Sequence, residues 1–182
     1  ESERTIQMGN GNRGNIMIIK NGLVFTPEGK FEKKDLYVEG EYVAKETTDN
    51  KEVEAEGCYV IPGLVDIHFH GCVRHDMCDG TEESIQALAD YEASNGVLAI
   101  CPATMTIPEE ELFQAMKAAK GHKNGKGADL VGINMEGPFI NKEKKGAQKE
   151  EDIKLADVEL FHKLQEAAGG LIKLVDLAPE RS

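Results

Sequence analysis

The feature that most constrains the fold is a regular alternation of apolar runs and helical patterns in the last two thirds of the chain. The runs are YVIPGLVDI (59–67), VLAICPA (97–103), ADLVGINMEG (128–137) and LIKLVDLAP (171–179). Near-continuous apolar runs are typical of strands buried on both faces. Helical patterns separate them in residues 81–96, 107–121 and 152–170. The order β-α-β-α-β-α-β predicts a parallel sheet with right-handed crossovers, either an open doubly wound sheet or the first half of a (β/α)₈ barrel.

The preceding part of the chain has a different texture. Residues 1–16 are polar and lack periodicity, which predicts a disordered leader or a non-native extension, with Met17 as the natural start. Residues 17–58 contain β-rich stretches in 17–26 and 35–45, separated by glycine-containing turn signals, and are predicted to form a small β domain. Residues 59–182 form the predicted βα region.

Charge and composition limit the partners of the chain. Its 182 residues carry a formal net charge of −12, which argues against nucleic acid or an anionic membrane as a main partner. The longest apolar runs are too short to span a membrane, and the polar start has no secretory signal. The cysteines are predicted to be free thiols of a cytoplasmic protein. Cys72 and Cys78 flank His75, but their spacing does not match that of structural zinc sites.

Polar residues that can bind a metal stand where two of the predicted strands end. His68 and His70 follow the first apolar run, and residues two apart in a strand point to the same side. Glu136 ends the third run, where an unpaired buried carboxylate would be costly. Since the C-terminal ends of parallel strands meet at one edge, the three residues predict a mixed nitrogen and oxygen site of the catalytic type. The alternative is a solvated histidine pair and an exposed glutamate without a role.

The segment IPGLVDIHFHG (61–71) resembles the first-strand motif of the amidohydrolase superfamily, in which a small β domain precedes a metal-bearing (β/α)₈ barrel. Four blocks are similar, in order and spacing, to the N-acetylglucosamine-6-phosphate deacetylase family. They are GLVDIHFHG, NGVLAICPATMT, GINMEGPFINKEKKGAQ and LVDLAPE. The resemblance covers residues 17–180. It implies about four βα units, the first half of a TIM-type barrel, preceded by an incomplete small β domain.

The resemblance also implies roles for particular residues. Glu136 matches the glutamate that binds the catalytic metal, and His68 and His70 match a pair that contributes a further metal position. One or two divalent ions are therefore expected, zinc first, with iron or another ion as the alternative. Gly137, Lys145 and Gln148 match the region near the substrate. No catalytic residue is expected within this chain, because the family's general-base aspartate and two further histidines belong to the C-terminal half.

The activity implied for the complete protein is hydrolysis of the 2-acetamido group of N-acetylglucosamine 6-phosphate, a step of amino-sugar catabolism. A cytoplasmic homodimer is expected, and this truncated chain is expected to be inactive alone. Two alternatives stay open at this point. One is another metal-dependent amidohydrolase that acts on cyclic amides, against which the Glu-Gly-Pro-Phe block (136–139) argues. The other is a non-catalytic half-barrel module.

Overall fold

The computed structural model describes residues 17–40, 42–47 and 51–181, so the predicted leader 1–16 lies outside the described residues. The chain divides into two compact units between Gly63 and Leu64, whereas the sequence placed the boundary after Cys58. Among the described residues, no helix combines the length and the apolar character needed to cross a membrane.

The first unit is a five-stranded sheet. Its strands are β1 (Met17–Phe25), β2 (Phe31–Glu39), β3 (Tyr42–Ala44), β4 (Glu52–Glu54) and β5 (Tyr59–Val60). The order is β3-β2-β1-β4, and β5 also pairs with β1. β1, β2 and β3 are joined antiparallel, whereas β4 and β5 run parallel to β1. The strands predicted within 17–26 and 35–45 are therefore present.

The second unit begins at Leu64 and alternates strands and helices. Its elements are β6 (Leu64–Asp66), β7 (Gly71–Cys72), β8 (His75–Asp76), α1 (Glu82–Ser94), β9 (Val97–Ile100), α2 (Glu109–Gly121), β10 (Asp129–Leu130), β11 (Ile133–Glu136), α3 (Val158–Ala167) and β12 (Ile172–Asp176). β9 pairs in parallel with β6 and β10, and β11 pairs in parallel with β12. A parallel bridge between Ala103 and Asn134 connects the two groups. The mixed α/β class with parallel strands is confirmed.

Capping residues fix where the helices of this unit start. The Thr81 hydroxyl accepts a hydrogen bond from the Ser84 backbone N–H (3.1 Å), and the Asp157 carboxylate accepts one from the Leu160 N–H (3.0 Å). Each cap satisfies a helix N–H that has no partner within the helix. Glu82 and Glu109 add negative charge to the first turns of α1 and α2, where the helix dipole favours it.

The core of the second unit lies between the helices and the inner strands. Its large buried side chains include Ile85, Leu112, Met116 and Leu164 from the helices and Ile100, Ile133 and Met135 from β9 and β11. Burying such a side chain contributes about 1.5–3 kcal/mol. The core therefore holds the C-terminal ends of β9 and β11 in fixed positions.

Three details of the strand prediction are wrong. The run 128–137 is divided into β10, which pairs with β9, and β11, which pairs with β12. The run 59–67 is not one strand, because Pro62 and Gly63 interrupt it between β5 and β6, and proline has no N–H for a ladder. The first and fourth runs are also not buried on both faces. Val65 beside β9 is 58% exposed, and Leu177 after β12 is 50% exposed. In the described chain β6 and β12 each pair with one strand only and are therefore edge strands.

Candidate metal centre

His68, His70 and Glu136 converge at the strand ends. The histidines follow β6, and Glu136 is the last residue of β11. The carboxylate Oε2 of Glu136 lies 3.3 Å from Nε2 of His68 and 3.1 Å from Nε2 of His70. One ligand atom from each of the three residues lies within 4.8 Å of the others, and over residues 17–40, 42–47 and 51–181 no other such group forms. The structure thus brings together the three residues that the sequence predicts as metal ligands.

The arrangement of these atoms fits a divalent cation. Zinc binds imidazole nitrogen and carboxylate oxygen at about 2.0–2.2 Å, so two ligands of a tetrahedral ion lie about 3.3 Å apart. The two Nε2 to Oε2 distances, 3.3 and 3.1 Å, are close to this value. Two histidines and one glutamate also form a known catalytic zinc set, which leaves a fourth position open for water or substrate.

Gln148 holds the Glu136 carboxylate in place. Its amide Nε2 donates to Oε1 of Glu136 (2.8 Å), and its Oε1 accepts from the backbone N–H of Thr106 (2.5 Å). The residue is only 3% exposed. Because Oε1 is engaged by Gln148, Oε2 is the oxygen directed at the histidines. Gln148 was predicted to contact substrate, whereas the structure directs both polar atoms of its amide at protein groups.

Asn134 contacts His68 from the neighbouring strand. Its side-chain Nδ2 lies 2.9 Å from Nδ1 of His68 and also donates to the backbone carbonyl of Ile67 (3.2 Å). The backbone N–H of His68 donates to the Asp66 carboxylate (3.0 Å), which steadies the chain as it leaves β6. By contrast, the buried Nδ1 of His70 has no hydrogen-bond partner among the described residues.

Gly137 makes the turn that follows the glutamate. Its φ is +74°, a left-handed conformation that side chains rarely adopt, and a Cβ at this position would collide with the Thr106 hydroxyl. Thr106 is buried, and its backbone N–H is the group that binds Gln148. Glycine is therefore required here for the chain to pass between Glu136 and the loop that carries Thr106.

Lys145 contacts the backbone of Gln148. Its ammonium donates to the backbone carbonyl of Gln148 (3.0 Å). Of the residues predicted near the substrate, Gly137 and Gln148 adjoin Glu136 directly, and Lys145 reaches it only through the Gln148 backbone. Lys142, from the same loop, lies 3.6 Å from the Glu150 carboxylate in an exposed ion pair.

The cysteines near His75 do not form a metal site in the described residues. The Cys78 sulfur accepts a hydrogen bond from the Met105 N–H (3.1 Å), and burial raises the pKa of this thiol to about 12. Within residues 17–40, 42–47 and 51–181, the cysteines belong to no group of metal-ligating side chains. His75 instead places Nδ1 3.1 Å from the Ser84 hydroxyl.

The hairpin β7–β8 follows His70 directly. It pairs Gly71 with Asp76 and Cys72 with His75. Val73 and Arg74 occupy the two turn positions with φ of 46° and 70°, as a two-residue hairpin turn requires. Arg74 is thus accommodated in a tight turn.

Sequence reasoning did not single out Asn134, although a signal for it exists. Asn134 stands two residues before Glu136 in β11, and residues two apart in a strand share a face. The spacing that relates His68 to His70 therefore places the Asn134 amide on the same face of the strand as Glu136.

Comparison with known proteins gives consistent similarities. No protein-family model matches the chain. The N-acetylglucosamine-6-phosphate deacetylase of Bacillus subtilis is 36% identical over 169 residues, which are 90% of this chain and 41% of that protein. The human protein of the same name is 29% identical over 168 residues, 89% of this chain and 38% of its own length. The chain thus spans about two fifths of the length of these curated relatives.

Solved structures show a related fold. The N-acetylglucosamine-6-phosphate deacetylase of Pasteurella multocida matches with a TM-score of 0.79 at 20% identity, over 92% of this chain and 46% of that one. A mutant of the Mycobacterium smegmatis enzyme, solved in complex with N-acetyl-D-glucosamine-6-phosphate, matches with a TM-score of 0.76 at 21% identity, over 93% of this chain and 45% of that one. At these identities the match concerns the fold.

Proposed function

We propose that this chain, which is similar to the N-terminal two fifths of N-acetylglucosamine-6-phosphate deacetylases, forms the metal-binding part of such an enzyme. The reaction is hydrolysis of the 2-acetamido group of N-acetylglucosamine 6-phosphate to glucosamine 6-phosphate and acetate. The observation that carries the proposal is the convergence of His68, His70 and Glu136 at the ends of two parallel strands, in a chain 36% identical to the Bacillus subtilis deacetylase.

The cofactor of this function is a divalent cation, with zinc as the first choice. When bound, it polarises the amide carbonyl and lowers the pKa of a coordinated water towards about 7. Glu136 would hold it through Oε2, with His68 and His70 offering Nε2 atoms to the same ion or to a second one. Gln148 keeps Oε1 occupied, so the carboxylate cannot rotate away from the imidazoles.

The groups around the cation have complementary tasks. Gly137 lets the chain turn beside Glu136, and the Lys145 ammonium supplies positive charge near an anionic 6-phosphate. Gln148 acts on substrate indirectly, by orienting Glu136. The base that takes the proton of the attacking water is an aspartate expected in the C-terminal part of the complete protein, where it would return the proton to the leaving amine.

We assign residues 64–182 to the first half of a (β/α)₈ barrel and residues 17–63, in which β5 pairs with β1, to part of a small β domain. Residues 1–16 are assigned to a leader. The parallel strands β6, β9, β11 and β12 follow one another in chain order without the reversal of a doubly wound sheet, which supports the barrel. The apolar side chains exposed on β6 and β12 fit two edges that further strands would cover. The complete protein would be a cytoplasmic homodimer.

The substrate class draws support from one structural neighbour. The Mycobacterium smegmatis protein was solved with N-acetyl-D-glucosamine-6-phosphate, a phosphorylated amino sugar. Nothing in the described residues favours a cyclic-amide hydrolase or a non-catalytic module instead.

The direct test measures acetate release from N-acetylglucosamine 6-phosphate in the presence of zinc. We expect no turnover by the 182-residue chain alone, because the base is absent, and turnover when it is combined with the remaining C-terminal part of the Bacillus subtilis relative. Glu136→Gln in the same mixture serves as the control and should abolish the reaction. If the chain alone turned over substrate as fast as the combined mixture, the general base could not belong to the C-terminal part. Activity that survives Glu136→Gln would contradict the assigned metal site.

A further inference from the structure

Asn134 makes two contacts that together determine which ring nitrogen of His68 carries the proton. Its Nδ2 lies 3.2 Å from the carbonyl oxygen of Ile67 and 2.9 Å from Nδ1 of His68. Asn134 is buried in β11, and its other amide atom, Oδ1, has no hydrogen-bond partner among the described residues. The whole polar function of this side chain is therefore directed at the segment that carries the histidines.

The Ile67 carbonyl identifies the amide atom that faces the ring. A carbonyl oxygen only accepts hydrogen bonds, so the atom opposite it must be the NH₂ group and not Oδ1. The same nitrogen has no lone pair to offer, and Nδ1 of His68 must accept from it. A neutral imidazole has one N–H, which is then at Nε2. Nε2 in turn lies 3.3 Å from Oε2 of Glu136, which accepts.

We propose that Asn134 is a positioning residue that holds His68 in the Nε2–H tautomer while the site is free of metal. In this state His68 donates to Glu136 and offers no lone pair to a cation. To bind through Nε2, the ring must lose the proton there to solvent and gain one at Nδ1. The Asn134 amide must rotate so that Oδ1 accepts from Nδ1–H, and the Ile67 carbonyl loses its donor.

His70 differs from His68 in this respect. Its Nε2 lies 3.1 Å from the same carboxylate oxygen, but its Nδ1 contacts no donor or acceptor within the described residues. Neither tautomer of His70 is therefore selected by a neighbour at Nδ1. His70 thus lacks the contact at Nδ1 that fixes the tautomer of His68, although Glu136 faces its Nε2 as well.

The first experiment records the ring nitrogens of ¹⁵N-labelled, metal-free chain by long-range ¹H–¹⁵N correlation at pH 8, where imidazoles are neutral. The signals of His68 are those missing from a His68→Gln variant. We expect a pyrrole-type Nε2 and a pyridine-type Nδ1. A pyrrole-type Nδ1, or signals averaged between the two tautomers, would overturn the proposal.

The second experiment changes the contact by one atom. In Asn134→Asp, a carboxylate faces Nδ1 and can only accept, so the ring proton moves to Nδ1 and Nε2 becomes available. Because outer partners of ligands alter metal affinity by about 10–100-fold, we expect Zn²⁺ to bind about tenfold more tightly than to the unmodified chain. The readout is competition with a chromophoric chelator, together with the tautomer spectrum.

Asn124→Asp provides a matched control. Asn124 also bonds through its amide, accepting from the Leu130 N–H (2.9 Å) and donating to the Leu130 carbonyl (3.1 Å). Its replacement adds the same charge and removes the same kind of donor, away from His68. It should leave both the tautomer and the Zn²⁺ affinity unchanged. If Zn²⁺ affinity rose equally in both variants, the added negative charge alone would explain the gain, and the proposal would be overturned.

The inference rests on the proposed metal site, yet the two fail separately. The tautomer of His68 in the metal-free chain is measured without substrate or cation. A chain that shows the Nε2–H tautomer but never contributes to deacetylation would refute the proposed function alone. An active enzyme whose His68 carries its proton at Nδ1 would refute only the role of Asn134.

Discussion

β6 and β11 each supply part of the same ligand cluster, but the molecule holds them very differently. β11 pairs with β12 on one side and is bonded to the 102–104 segment on the other, through Asn134 N–H to the Pro102 carbonyl (3.1 Å) and Thr104 N–H to the Asn134 carbonyl (3.0 Å). In the described chain β6 pairs only with β9. Glu136 is accordingly 24% exposed, whereas the His68 side chain is 45% exposed.

The site therefore has a rigid side and a loosely held side. Glu136 is fixed by its strand, by Gln148 and by the turn at Gly137. The histidines depend on an edge strand and on single contacts such as that of Asn134. Precision at a metal site comes from the partners of the ligands, so the glutamate should dominate binding and the histidines should adjust it.

The largest expected effect contrasts the stability contributions of the two strands. Met135 in β11 is fully buried, and Met135→Ala should lower the free energy of unfolding by about 2–5 kcal/mol. Val65→Ala in β6 should cost less than about 1 kcal/mol, since Val65 is largely exposed. Urea unfolding of both variants measures the difference, and equal losses would show that β6 is covered in solution.

The second effect concerns the ligands themselves. Glu136→Ala should weaken Zn²⁺ binding by more than about 100-fold, because losing a ligand exceeds the 10–100-fold loss typical of its outer partners. His68→Ala should weaken it by less. Competition titrations with a chromophoric chelator give both constants. A larger loss of Zn²⁺ affinity in His68→Ala than in Glu136→Ala would show that the histidine side of the site dominates binding.

A third effect isolates the support of Glu136. Gln148→Leu keeps a similar volume but removes the donor to Oε1 and the acceptor for the Thr106 N–H, and should weaken Zn²⁺ binding by about 10–100-fold. Gln86→Leu is a matched control on α1, where Gln86 bonds Asp90 (2.9 Å) away from the cluster. Unchanged affinity in Gln148→Leu would return Gln148 to a role in substrate binding.

The smallest effect on stability is expected at the open edge. Val65→Lys should change the free energy of unfolding by no more than about 0.5 kcal/mol, while a charge on an edge strand opposes pairing with another chain. Analytical ultracentrifugation should show less self-association than for the unmodified chain. An unchanged association constant would place any self-contact elsewhere on the molecule.

Sequence reasoning predicted most elements because the relevant signals are local. The helical spacing of apolar residues marks the helices, which form where expected. In the structure Thr81 and Asp157 cap two of them. The same reasoning failed for β6 and β12. An apolar pattern in a strand shows which side chains are suited to burial. Whether they are buried depends on the elements packed around the strand, which a local pattern does not contain.

The ligands of the candidate site could be predicted from the sequence, but the side chains that hold these ligands in place could not. Two histidines with a spacing of two and a glutamate at a strand end carry a recognisable chemical signature. The contacts of Gln148 and Asn134 join residues far apart in the chain, and amide side chains are too common for their position alone to indicate such a role. Only the three-dimensional arrangement shows which oxygen of Glu136 is restrained.

The open edges of β6 and β12 also have a consequence in time. If the complete protein continues for the remaining three fifths of its relatives' length, synthesis at about 5–20 residues per second leaves this part of the chain waiting for tens of seconds. The inner strands β9 and β11 pack against helices that have already been synthesised, so they can fold while the chain is still on the ribosome. The apolar side chains of Val65 and Leu177, 58% and 50% exposed, stay accessible throughout that interval to a chaperone or a neighbouring nascent chain.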